Sequence, residues 1–107
     1  MEQNIALVFE HLASVIKEKR DGDPKQSYIA KRFAKGRAKI AQKIGEEGVE
    51  LALAVVLQDK TEIISESADL IFHMMLALEE AGLDFSQVVA ELSRRDGISG
   101  LEEKASR

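Results

Sequence analysis

The chain is 107 residues long, 45% hydrophobic and 32% charged, with one proline, no cysteine and a formal net charge of −4. That length and composition suit one soluble domain over residues 1–107, and the missing cysteine excludes disulfide frameworks, thiolate metal sites and a cysteine nucleophile. No apolar run approaches a membrane span, and Glu2 and Glu10 stand where a secretory leader would be basic and then apolar, so a cytoplasmic protein is expected.

Alanine, leucine, glutamate and lysine dominate, and no segment alternates apolar with polar residues. The fold class predicted is therefore all-α, a bundle of about four to five helices. A first helix is expected over 4–20, where Ile5, Val8, Phe9, Leu12, Val15 and Ile16 recur on one face, and it stops at the turn cluster Asp21-Gly22-Asp23-Pro24. Ser27 is placed to cap a short helix over 28–33, and Gly36 separates that from a longer helix over 38–57. Asp59 with Glu62 resembles a capping box opening a helix that runs to Glu80 or Ala81 and ends at Gly82. Leu83 and Asp84, followed by Gln87 and Val88, combine a second box with a hydrophobic staple and open a last helix to about Arg95. A loop over 96–100 and a short polar end over 101–107 complete the chain. Residues 70–78 are apolar on nearly every side, which in so small a chain points to burial between subunits. A homodimer or higher homo-oligomer is expected to complete the core.

Charge is segregated along the sequence. Between Lys25 and Lys43 there are seven basic residues and no acid, whereas from Glu46 to Glu91 there are eleven acids and Lys60 as the single Lys or Arg. Glu46, Glu47 and Glu50 fall on the 38–57 helix. With Ile40 as zero on a helical wheel, Leu51, Ile44, Val55 and Ala54 form an apolar stripe, and Glu47 lies inside it, about 20° from zero. Glu50 and Glu46 lie past one edge of that stripe, at about 80° and 120°. On the next helix Glu62, Glu66, Asp69 and His73 share an arc of about 60°.

Solvent exposure is the commonest fate of a glutamate, but burying an unpaired carboxylate costs several kcal/mol, so Glu47 within an apolar stripe calls for a positive partner. Carboxylates without imidazole or thiolate select a hard cation, Mg2+ or Mn2+. Glu47 and Glu50 on one helix and Glu66 and Asp69 on its antiparallel neighbour have the spacing to converge as four oxygen ligands.

The stretches Ser27-Tyr28-Ile29, Lys43-Ile44-Gly45-Glu46-Glu47-Gly48-Val49-Glu50, Glu66-Ser67-Ala68-Asp69-Leu70 with His73, and the end Arg94-Arg95 with Ser99-Gly100-Leu101-Glu102-Glu103-Lys104-Ala105 resemble the phosphoribosyl-ATP pyrophosphatase family of histidine biosynthesis. The broader pattern Glu-Glu-x-x-Glu, then Glu-x-x-Asp after 15 residues, is shared by the all-α nucleoside triphosphate pyrophosphohydrolases, dimeric dUTPases among them. Gly48, where the family more often has alanine, departs from the pattern at about 1 kcal/mol of helix stability.

The resemblance implies Mg2+-dependent hydrolysis of phosphoribosyl-ATP to phosphoribosyl-AMP and pyrophosphate, by water attacking at the α–β linkage. It makes Glu47, Glu50, Glu66 and Asp69 metal ligands, with Glu46 orienting or deprotonating the water or holding a second ion. Lys43 is the first candidate for a phosphate contact, with Lys35, Arg37 and Lys39 behind it; the competing reading of Lys43 is an intrahelical pair with Glu46 or Glu47. Arg94 and Arg95 either reach phosphate or complement a helix dipole. His73 is expected to support the ligands, and Tyr28 to stack on a base. The alternatives are a house-cleaning nucleotide pyrophosphohydrolase and a helical interaction module whose acids are surface charge. A nucleic-acid binder is disfavoured by the acidic chain and its few aromatics.

Overall fold

The computed structural model describes residues 3–97 and Lys104. Among the described residues there are five α-helices and no strand: α1 (Ile5–Lys19), α2 (Tyr28–Lys35), α3 (Arg37–Val56), α4 (Lys60–Glu80) and α5 (Phe85–Arg94). The motif Ser99 to Ala105 and the polar end lie outside the described residues, Lys104 apart. No described helix is long and apolar enough to cross a membrane.

Polar side chains fix the helix starts. Asn4 accepts a hydrogen bond from the Leu7 amide, Ser27 from Ala30 and Asp59 from Glu62, each at 3.1 Å, so each satisfies a donor that the first helical turn leaves free. At α5 the expected reciprocal box is complete, because the Asp84 amide in turn donates to Gln87 Oε1 at 2.9 Å.

The ends of α3 and α4 close by the same device. The Asp59 amide donates to the Ala54 carbonyl and Gln58 to Val55; at the next end Leu83 donates to Leu78 and Gly82 to Glu79. Both patterns are Schellman motifs, which need a left-handed residue after the cap. Gly82 supplies it at φ 75° without strain, whereas Gln58 is forced to φ 57°.

The core consists of Ile16, Ile29, Ile40, Met75 and Leu76, flanked by Phe9, Leu12, Phe33, Phe72 and Phe85. Phe9 and Phe85 stack with centroids 4.2 Å apart and tie α1 to α5. The most extensive packing joins α3 to α4, with α2 laid against α1, α3 and α4. Val49, Leu53 and Val56, at helical spacing on α3, stay exposed, as do Ile64 and Ile71 on α4. The run over 70–78 thus divides: Met75 and Leu76 fill this chain's own core while Ile71 faces outward.

Candidate metal and phosphate site

The α3–α4 hairpin brings together acids that are far apart in sequence. One carboxylate oxygen each from Glu47, Glu66 and Asp69 lie within 4.8 Å of one another. Glu47 is 6% exposed, the burial its place in the apolar stripe predicts. Its Oε1 lies 3.2 Å from Lys43 Nζ, while Glu47 Oε2 and Glu66 Oε2 are buried without a hydrogen-bond partner among the described residues. Buried oxygens are seldom left unsatisfied, and an all-carboxylate donor set suits a hard divalent cation. The residues present therefore fit Mg2+ or Mn2+.

Ionisation within the cluster is uneven. Burial works against charge on Glu47, but the Lys43 ammonium, with Glu66 and Glu50 beside it, outweighs burial and holds the carboxyl below its ordinary range. Glu66 goes the other way, pushed up to about 7 by the contact with Glu50, by burial and by Glu47. Glu50 stands at the rim, exposed and outside the tight trio, yet close enough to Glu66 to disturb it. Glu46 is also exposed, in an open groove with Gln42, Gly45, Val49 and Glu50.

His73 is buried one turn beyond Asp69, with Nδ1 2.8 Å from the Asp69 carbonyl oxygen and Nε2 2.8 Å from the Tyr28 hydroxyl. A carbonyl only accepts, so Nδ1 carries a hydrogen and donates it to the Asp69 carbonyl, while Nε2 shares a hydrogen bond with the Tyr28 hydroxyl. His73 thereby braces the α4 turn that bears Asp69 against α2. Tyr28 is half exposed, and one face of its ring is taken by the Arg32 guanidinium, 5.1 Å from the centroid. Sequence reasoning placed neither this relay nor Arg32; the spacing of four between Tyr28 and Arg32 is the signal that was present.

The expected phosphate contacts separate. Of the two readings of Lys43, the intrahelical pair is the one found, and the contact with Glu47 raises the ammonium's pKa. Arg37 grips Glu80 with Nε at 2.9 and 3.1 Å from its two oxygens, and lies about 15 Å from Glu47 by helical rise. Lys39 donates to Gln42 at 3.2 Å, and Lys35 is exposed beside Arg32, Lys31 and Lys39. Arg94 and Arg95 both hold Glu91 on α5.

The sequence matches known proteins over nearly the whole chain. The phosphoribosyl-ATP pyrophosphohydrolase family profile matches residues 9–96. The chain belongs to this family. A phosphoribosyl-ATP pyrophosphatase of Novosphingobium aromaticivorans is 52% identical over 100 residues, 94% of each chain. One from Rhizorhabdus wittichii is 52% identical over 98 residues, 92% of each, and one from Zymomonas mobilis is 48% identical over 97 residues, 91% of each. The family profile spans both acid-bearing helices and α2, so the carboxylate trio, the His73 brace and the basic run all lie within the matched region.

Proposed function

We propose that the chain hydrolyses phosphoribosyl-ATP to phosphoribosyl-AMP and pyrophosphate, with Mg2+, or Mn2+ in its place, held by Glu47, Glu66 and Asp69 and completed from the rim by Glu50. The observation that carries this reading is the convergence of three carboxylates from α3 and α4 within 4.8 Å, two of them with a buried oxygen unsatisfied among the described residues. The ion, when bound, neutralises phosphate charge and stabilises the leaving pyrophosphate. Lys43 keeps Glu47 ionised and offers its ammonium to a phosphate oxygen at the same edge. His73 fixes the turn that carries Asp69. Glu66, pushed up to about 7, still carries part of a proton at neutral pH and releases it as positive charge enters. Glu46 faces solvent beside Glu50, where it orients or deprotonates the attacking water or holds a second ion.

A homodimer follows from the exposed Val49, Leu53, Val56, Ile64 and Ile71 on the same two helices, because a second copy laid on that strip removes it from water. A small biosynthetic enzyme acting on a free nucleotide belongs in the cytoplasm.

The test is pyrophosphate release from phosphoribosyl-ATP, dUTP and ATP in parallel, each with and without Mg2+. Release from phosphoribosyl-ATP alone, and only with the metal, is the expected result. Preference for dUTP or ATP would overturn the substrate, and no release by a folded chain would return the acids to surface charge.

A further inference from the structure

The substrate proposed above has two anionic ends. A triphosphate hangs from one ribose, a phosphate monoester from the other, and the adenine separates them. Carboxylates take the triphosphate only through a cation, so the remote monoester, close to doubly charged at neutral pH, needs basic groups that no acid neutralises. The α2–α3 junction supplies them.

Each of Arg20, Arg37, Arg94 and Arg95 holds a carboxylate. Among the described residues Arg32 is the one arginine without an ion pair, and its Nε is buried with no hydrogen-bond partner. Its guanidinium lies over the Tyr28 ring, 5.1 Å from the centroid, which fixes the plane of the fork. Lys31 and Lys35 are four residues apart on α2 and flank Arg32, and Lys39 follows on the first turn of α3. The Lys35 ammonium is held below its ordinary value by Arg32 first, then by burial, Lys31 and Lys39. Like charges at this spacing destabilise a helix. The α2 dipole accounts for cations in the last turn, but not for a partly buried arginine that stacks on an aromatic ring and whose buried Nε has no hydrogen-bond partner among the described residues. The hydroxyl of the same Tyr28 shares a hydrogen bond with His73, which holds the Asp69 turn, so the tyrosine links Arg32 to the turn that bears one of the acid trio.

Resting on the phosphoribosyl-ATP reading, we propose that Arg32, with Lys31, Lys35 and Lys39, is a second anion subsite that binds the phosphate monoester of the phosphoribosyl group, linked through Tyr28 to the Asp69 turn. Arg32 is thereby a specificity determinant, because ATP and dUTP carry nothing to occupy it.

The reaction product tests this without metal or turnover. Calorimetry compares phosphoribosyl-AMP with AMP on the native chain, on Arg32→Gln and on the exposed-site variant Lys35→Ala. Native protein is expected to prefer phosphoribosyl-AMP at least tenfold, Arg32→Gln to lose that preference, Lys35→Ala to lose several-fold of it, and Arg32→Lys to recover part. In turnover Arg32→Gln raises KM for phosphoribosyl-ATP tenfold or more with kcat changed by no more than a few fold. Equal weakening of both ligands by Arg32→Gln and Lys35→Ala, or weaker inhibition by pyrophosphate with the preference intact, would assign these cations to the triphosphate end and overturn the subsite. A native chain that cleaves phosphoribosyl-ATP but binds the two monophosphates alike refutes the subsite alone; one that cleaves none refutes the substrate reading as well.

Discussion

Helix α4 carries two pairs of acids, and they live in opposite electrostatic worlds. Near its C-terminus Glu79 meets Arg20 and Lys17, and Glu80 meets Arg37. About 20 Å back along the same helix, Glu66 and Asp69 face Glu47, and Glu50 crowds in from the rim. Burial resists charge on Glu79, but Arg20 and Lys17 overcome it and hold the carboxyl below its ordinary range, whereas Glu66 is pushed up to about 7. The first pair is satisfied within the chain and joins helices. The second has no ion pair among the described residues, and on the function proposed here a cation brought from outside satisfies it.

The sharpest way to break this contrast is to neutralise one member of each pair. Glu66→Gln is expected to lose about a hundredfold or more in kcat/KM, while its melting temperature stays at or above that of the native chain because a repulsion is removed. Glu79→Gln is expected to do the reverse, costing about 2 kcal/mol of stability with kcat/KM within twofold, measured by urea unfolding and initial rates. The Glu79 contribution has a defined sign with pH. Its folded pKa lies below the unfolded value of about 4.3, so the stabilisation is present above that value and is lost as pH falls through the depressed one. The stability gap between native and Glu79→Gln should therefore shrink in acid; a gap that widens would contradict the ion pair.

The two ends of the α3–α4 pair offer smaller tests. Gln58 and Gly82 occupy equivalent left-handed positions, so Gln58→Gly is expected to raise stability by about 0.5–1 kcal/mol in thermal melts. Glu80→Gln, which releases the mostly exposed Arg37, is expected to cost under about 1 kcal/mol by the same assay.

Much of this is legible in the sequence, for identifiable reasons. The starts of α1, α2, α4 and α5 follow from Asn4, Ser27, Asp59 and Asp84, because a cap acts over three residues and is local. The inward turn of Glu47 follows from wheel arithmetic on one helix, and the pairing of its helix with the one bearing Glu66 and Asp69 from the short connection between them. What depends on contacts between remote segments stays hidden. No local pattern tells that Arg37 turns to Glu80, that Tyr28 reaches His73 across 45 positions, or that Arg32 has no acid partner among the described residues. Glu50 is an intermediate case, since the sequence groups it with the metal ligands and the fold leaves it on the rim.

The most direct measurement is pyrophosphate release from phosphoribosyl-ATP by native protein, Glu66→Gln and Glu79→Gln, with and without Mg2+, alongside circular dichroism. Metal-dependent release by native protein and Glu79→Gln, with a folded but silent Glu66→Gln, is the outcome that the two acid pairs predict. Release that survives in Glu66→Gln, or that needs no metal, would contradict the assignment of the carboxylate cluster as the reactive centre.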